Sequence, residues 1–202
     1  MSTLKAPPVI LASASAARKE MLSAAGLVFE AEPAKVDEAA IIKKCERTHD
    51  IKRLTSKLAQ AKALSVSQKH PDALVIGSDQ TLEFEGKLLT KAKDLADAEE
   101  KLKSLRGKTH ILRSAVCVAH SETILFSISD SAHLTMHNFD DDFLVDYMQR
   151  DPDALTSCVG GYKIEGAGAW LFSDIKGDNF TIMGMPLLPL LGFLRSEYGI
   201  KP

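Results

Sequence analysis

Ala73-Leu74-Val75-Ile76-Gly77-Ser78-Asp79-Gln80 is a compact apolar run, Ala73 to Gly77, that leads directly into a hydroxyl, a carboxylate and an amide. The run reads as a buried strand. The carboxylate then falls at the strand's end, where open α/β sheets usually place their reactive groups. Asp79 can there hold Mg²⁺ or Mn²⁺ through oxygen, or take a proton from an attacking water. A turn-forming aspartate accounts for the same local sequence equally well.

Outward from this strand, helical and extended patterns alternate. Upstream, Ile51 to Ser67 repeats Leu54, Leu58, Ala61 and Leu64 at helical spacing and is closed by Pro71. Val9 to Ala12 predicts a first strand, Ser13-Ala14-Ser15 ends it, and a helix follows from Ala16 to Ala25 with Gly26 as its stop. Leu27 to Ala31 predicts another strand, and Pro33 with Asp37-Glu38 marks a loop and the entry to a helix. Downstream, Thr81–Phe84, Glu85-Gly86 and Lys87–Leu89 predict a hairpin. A helix over Asp94–Leu105 stops at Arg106-Gly107-Lys108, and strands follow over Thr109–Ala119 and Thr123–Met136 around a His120-Ser121-Glu122 turn. Asp140–Gln149 predicts a helix with acidic residues at its start, where the dipole favours them, and Asp151-Pro152 breaks it. The glycine-rich segment Cys158–Gly168, a strand over Ala169–Ile175 and an amphipathic helix over Pro186–Tyr198 complete the chain. With no internal repeat, low-complexity tract or linker, residues 1–202 read as a single domain.

Composition narrows the partners. The chain has 202 residues, 45% hydrophobic and 26% charged, which suits one domain of moderate size or two small lobes sharing a core. A formal net charge of -2 gives no general attraction to a nucleic-acid backbone, so phosphate recognition must come from a few local cations, and the ligand is a small anion. Cys45, Cys117 and Cys158 are far apart and include no CxxC pair, which points to a reducing, cytoplasmic compartment. Lys5 followed by Val9–Ala14 has the outline of a secretion signal. Its apolar core, Val9 to Ala12, falls short of the roughly 7 to 15 residues a signal needs. No run reaches the roughly 18 apolar residues of a membrane span. Among His49, His70, His110, His120, His133 and His137 only the last two have a metal-ligand spacing; they share a face of a predicted strand, too far apart to ligate one metal easily, and read as structural or surface groups. The role of His110 is open.

A strand that ends in Ser13-Ala14-Ser15 and enters a helix offers hydroxyls and free N–H groups at a positive helix end, which suits a phosphate. Arg18 and Lys19 stand in that helix's first turn, where the dipole disfavours cations and a nearby anion would resolve the conflict. A serine cap with an imperfect charge order explains the segment equally well. The P-loop pattern GxxxxGK[ST] is absent. Lys62, Lys91 and Arg106-Gly107-Lys108 can neutralise triphosphate oxygens, although each alone also reads as a solvated surface charge.

Taken in order, Leu11–Arg18, Leu58–Ala63, Ile76–Gln80, Lys91 within Thr90–Lys93, Arg106–His110, Gly160–Gly166 and Gly184–Leu187 resemble the Maf family of nucleoside triphosphate pyrophosphatases over nearly the whole chain. The resemblance implies an inosine-triphosphatase-like α/β fold: a long twisted mixed β-sheet flanked by helices, with two lobes around a central cleft. It implies hydrolysis of nucleoside triphosphates to monophosphate and pyrophosphate, by water attack at the α-phosphorus with a divalent cation, Mg²⁺ or Mn²⁺. By the same resemblance Ser13 and Arg18 bind phosphate, Glu38 and Asp79 hold the metal or activate water, and Lys62 and Lys91 offset phosphate charge. A homodimer is a family-level expectation.

Gln80 and Lys163-Ile164-Glu165 are similar to the subgroup that hydrolyses 7-methyl-GTP, whereas the subgroup acting on thymidine and uridine triphosphates has a threonine after the central aspartate and an acidic residue where this chain has Ser157. Glu165 can accept from guanine N1–H and the N2 amino group while favouring the positive charge of the methylated base. Ala17 stands where enzymes of that subgroup carry an aromatic able to stack on the base. Trp170 is a substitute platform or, as a strand tryptophan, core. The competing class is a nucleotide-binding regulator of cell division with little turnover, kept open by Ala17 and Ser157; a nucleic-acid-binding domain lacks its basic stripe with interleaved aromatics.

Overall fold

The computed structural model describes residues 6–47 and 51–202. Lys5 and His49 lie outside the described residues. In chain order the elements are β1 (Val9–Leu11), α1 (Ala16–Ala24), β2 (Glu30–Ala31), α2 (Glu38–Arg47), α3 (Ile51–Ser67), β3 (Leu74–Phe84), β4 (Lys87–Leu89), α4 (Leu95–Leu105), β5 (Thr109–His120) and β6 (Thr123–Met136). Then follow α5 (Asp141–Arg150), α6 (Pro152–Ser157), a 3-10 turn (Ala167–Leu171), β7 (Phe172–Lys176), α7 (Asn179–Ile182) and α8 (Leu187–Tyr198). The strands form a seven-stranded sheet in the order β2-β1-β3-β5-β6-β7, with β4 paired to β3. β1 runs parallel to β2 and β3, whereas β3–β4 and β6–β7 are antiparallel, so the sheet is mixed and flanked by helices, as expected.

The chain divides into two compact units. One contains the segment up to Asp79, Ser114–Asp130 and Gly184–Pro202; the other contains Gln80–Arg113 and Ser131–Met183. The first unit's core brings Ile10 and Ala12 of the β1 region, Ala59, Ala63 and Val66 of α3, Val75 of β3 and Ala115, Cys117 and Ala119 of β5 together. Small residues on α3 let that helix lie close to the sheet. The second unit's core is larger-chained: Leu82 and Phe84, Leu102 and Leu105, Leu134 and Met136, Leu144 and Tyr147, Tyr162 and Leu171.

Four local readings are corrected. Asp79 does not end a strand, because β3 runs unbroken from Leu74 to Phe84. Its register on β1 ends at Ile76 and its register on β4 starts at Leu82, and β5 is its other neighbour in the sheet. The strand expected over Leu27–Ala31 contracts to Glu30–Ala31, since only these residues meet Ile10 and Leu11 of β1. Asp151-Pro152 ends α5 but also starts α6: Asp151 Oδ1 accepts from Ala154 N at 3.2 Å and Pro152 takes the first helical position. Ala169–Leu171, expected as strand, coils into the 3-10 turn, where Leu171 fills the core and Trp170 is 76% exposed. The core reading of Trp170 is therefore wrong. α7 has no counterpart in the sequence reading; Asp178 caps it, Oδ2 accepting from Thr181 N at 2.8 Å. His133 lies exposed on β6 and His137 lies beyond its end. Among the described residues, no helix is long and apolar enough to cross a membrane.

Candidate active site

The helix start Ser13–Arg18 serves as a cap and as a cation mount at once. Ser15 caps α1, its Oγ accepting from Arg18 N at 3.4 Å, and its own N–H donates to Ser13 Oγ at 3.2 Å. Helix geometry then turns the Arg18 side chain back over Ser13. Arg18 Nη1 donates to Ser13 Oγ at 3.3 Å and Nε donates to the Gly184 carbonyl at 3.0 Å. The expected pair Ser13 and Arg18 is thus brought together. Burial pulls the guanidinium pKa down, and the charges of Asp79 and Glu38 pull it back up; it stays a cation at any physiological pH.

Gly184 is a residue whose role the sequence reading did not specify. It has φ 110, a region that disfavours side chains, and from there its carbonyl receives Arg18 Nε. The same carbonyl lies 3.1 Å from the Ser78 hydroxyl, which also donates to Ala115 O at 2.8 Å. Ser78 is fully buried. Its hydroxyl therefore ties β3, β5 and the Gly184 turn to the mount of Arg18.

Gly77 sets the distance between α3 and β3. A Cβ there would lie 2.2 Å from Ala59 O and 2.7 Å from Ala63 N, so only glycine permits this approach. Lys62, one position before Ala63, then reaches the strand two residues further on. Its Nζ hydrogen-bonds Asp79 Oδ1 and lies 2.9 Å from Glu38 Oε1, at the start of α2. The Lys62 and Asp79 side chains are 14% and 10% exposed, while Glu38 is half exposed. Burial, the dominant effect, pushes the Asp79 carboxyl above its usual range, against the pull of Lys62 and Arg18. A carboxylate shifted upward is a better base than an exposed one. With two cations, Arg18 and Lys62, coupled to two anions, Glu38 and Asp79, the cluster is formally neutral.

Gln80, Lys91 and Glu165 belong to the second unit. Gln80 Nε2 donates to the carbonyls of Ile182 at 2.8 Å and Thr181 at 3.2 Å, at the end of α7. Lys91 and Glu165 are exposed, and both act electrostatically on the half-buried Cys158 thiol, which burial pushes up. The glycine-rich loop carrying Glu165 is pinned from within: Tyr147 OH donates to Gly161 O at 2.8 Å, and Tyr162 OH meets His110 Nε2 at 2.5 Å. His110 is fully buried, its Nδ1 has no hydrogen-bond partner, and burial lowers its pKa from 6.5 to about 4. His110 thus supports the loop from the core. Ala17 is half-buried on α1. Among the described residues, no group of three or more His, Cys, Asp or Glu side chains is placed to hold a metal.

A mixed α/β sheet with a serine-capped helix start, a buried carboxylate and two cations tied to it defines an anion-handling protein suited to phosphate groups. The chain belongs to the Maf family, whose model, described as Maf-like protein, matches residues 8–197. It is 43% identical over 191 residues to a nucleoside triphosphate pyrophosphatase of Nitrobacter winogradskyi, covering 95% of this chain and 94% of that one. It is also 43% identical over 192 residues to a 7-methyl-GTP pyrophosphatase of Rhizobium etli, covering 94% and 96%. Among solved structures it is similar to the Ham1 protein of Staphylococcus aureus, with 13% identity, 65% and 72% coverage and a TM-score of 0.39, a likeness too slight to carry an argument.

Proposed function

We propose that this chain is a nucleoside triphosphate pyrophosphatase that cleaves its substrate between the α- and β-phosphorus, with 7-methyl-GTP as the leading substrate. The observation that carries the proposal is the buried Asp79 held by Lys62 beside Glu38, in the unit where Arg18 is mounted on Ser13. In the reaction a water oxygen bonds to the α-phosphorus, the bond from that phosphorus to the bridging oxygen breaks, and pyrophosphate leaves. Asp79, its pKa raised by burial, takes the water's proton. Arg18 and Lys62 stabilise the negative charge that builds on phosphate oxygens, and they act in a site where water screens them little.

Two carboxylates with substrate oxygens completing the shell suit Mg²⁺ or Mn²⁺, which favour substrate phosphates over all-protein cages. Glu38 and Asp79 would hold such an ion, whose bound charge would polarise the phosphoryl oxygens. Lys91 adds positive charge for the leaving pyrophosphate. Glu165 accepts from the N1–H and N2 amino groups of the guanine, and its charge favours the methylated, cationic ring. Gln80 holds the end of α7 through its amide nitrogen. We further propose a cytoplasmic homodimer with no nucleic-acid or membrane partner; sedimentation of the purified protein tests the dimer.

Purified protein incubated with 7-methyl-GTP, GTP, dTTP and UTP in Mg²⁺ or Mn²⁺, with pyrophosphate and orthophosphate separated, tests the activity. Monophosphate and pyrophosphate are expected, with 7-methyl-GTP turned over fastest. Orthophosphate and a nucleoside diphosphate as products reject it.

A further inference from the structure

Lys62 stands between the two carboxylates proposed above as metal ligands. Its ammonium bridges the same two carboxylates, Asp79 Oδ1 and Glu38 Oε1, that serve as the candidate metal ligands. Arg18 acts electrostatically on both carboxylates as well. A bare divalent ion entering this cluster must displace Lys62 from its partners or add two positive charges to a neutral group whose Lys62 and Asp79 side chains are largely buried. Either is unfavourable where dielectric screening is weak.

A triphosphate changes the balance, because it brings several negative charges and many acceptor oxygens. An ammonium on a flexible four-carbon stem with three donors can swing to a phosphate oxygen while α3 stays where Gly77 seats it. Glu38 and Asp79 are then left as two unpaired carboxylates next to bound phosphates, the ligand set that suits Mg²⁺.

We propose that Lys62 is a placeholder cation that keeps the divalent ion out of the idle site and yields the carboxylates only to nucleotide. The metal therefore binds with or after the triphosphate, never firmly before it. The inference rests on the assignment of Glu38 and Asp79 as metal ligands in the preceding section. It goes beyond that assignment by giving the lysine a second role, exercised before any chemistry.

The test is binding of Mn²⁺ alone, with no nucleotide present, read from the electron paramagnetic resonance signal of free Mn²⁺ at constant ionic strength. Wild-type protein is expected to bind weakly, and Lys62→Met at least about tenfold more tightly, since removing the ammonium leaves the two carboxylates without the cation that bridges them and with Arg18 alone to offset their charge. Lys62→Arg, which keeps the charge, should stay weak. Asp79→Asn added to Lys62→Met should abolish the gain, which assigns the bound ion to this cluster. Lys62→Gln replaces Lys62→Met if circular dichroism shows the latter unfolded. Folded Lys62→Met or Lys62→Gln that binds Mn²⁺ no more tightly than wild type overturns the inference, and so does wild-type protein that binds Mn²⁺ alone at micromolar concentration. Pyrophosphate release by wild type, measured in parallel, separates the two readings. Turnover without the affinity gain removes the placeholder role and leaves the activity standing; the gain without turnover does the reverse.

Discussion

Replacing Gly77 by alanine tests whether the spacing of α3 and β3 builds the site. The added methyl group would meet Ala59 O at 2.2 Å, Ala63 N at 2.7 Å and Ala63 Cβ at 2.8 Å, and two of those atoms are backbone that no rotamer change can move. Restoring an ordinary contact of about 3.5 Å requires α3 to retreat by roughly 1.3 Å. Overpacking of this kind costs about 1–3 kcal/mol. In urea that corresponds to a midpoint lower by roughly 1 M. The retreat also draws Lys62 away from Asp79 and Glu38, and a misplacement near 1 Å can cost about 100-fold in rate. Gly77→Ala should therefore lower kcat/KM for triphosphate hydrolysis by about two orders of magnitude while the remaining protein stays folded. Unfolding followed by circular dichroism and a coupled pyrophosphate assay measure both quantities. A variant with the wild-type urea midpoint and kcat/KM within about twofold of wild type would show that the helix does not need this approach, and the account of how Lys62 is placed would fail.

Asp79→Asn keeps the hydrogen-bonding shape but loses the base, so kcat should fall by about 10²–10⁴-fold while nucleotide binding, followed by calorimetry, survives; unchanged turnover would remove Asp79 from the chemistry. Arg18→Lys retains the charge but not the fork that reaches Ser13 Oγ and Gly184 O, so KM should rise about tenfold with a smaller change in kcat. Tyr162→Phe leaves both ring nitrogens of buried His110 without a partner and should destabilise the protein by about 1–3 kcal/mol, seen as a lower urea midpoint. The pKa of His110 is lowered by burial from 6.5 to about 4. The unfolded chain therefore binds a proton between those values that the folded chain refuses, so stability is full above pH 6.5 and falls as pH drops towards 4, by roughly 3 kcal/mol at most. Urea midpoints at pH 7 and pH 4.5 should differ more in wild type than in His110→Gln; equal differences would contradict the burial of a neutral histidine.

Periodicity located most elements because local sequence and tertiary demand agree there. α3 runs over the same residues, Ile51–Ser67, that the leucine spacing marks, and the Ser121-Glu122 turn between β5 and β6 falls where the polar break predicts it. The misread segments are those where partners decide. β3, which lies between β1 and β5 in the sheet, continues through Ser78-Asp79-Gln80, although three polar residues in a row look like a strand end. Trp170 lies outside because the 3-10 turn that contains it rotates Leu171 into the core. In the site, local reading singled out Ser13, Arg18, Lys62 and Asp79 and the resemblance added Glu38, and the structure brings Ser13 to Arg18 and joins Lys62 to both acids. The supports of that cluster were not legible. That Gly77 is needed for a helix contact, and that the Gly184 carbonyl holds Arg18, depend on residues far apart in sequence. The glycines themselves, standing in the matching motifs, were the available signal.

The central claim is that water attacks the phosphorus nearest the sugar. Hydrolysis of 7-methyl-GTP in ¹⁸O-labelled water, with the products resolved by mass spectrometry, tests it most directly. The account predicts one label in the nucleoside monophosphate and none in the pyrophosphate. Label in the pyrophosphate would place the attack at the β-phosphorus, and labelled orthophosphate would place it at the γ-phosphorus; either result contradicts the account.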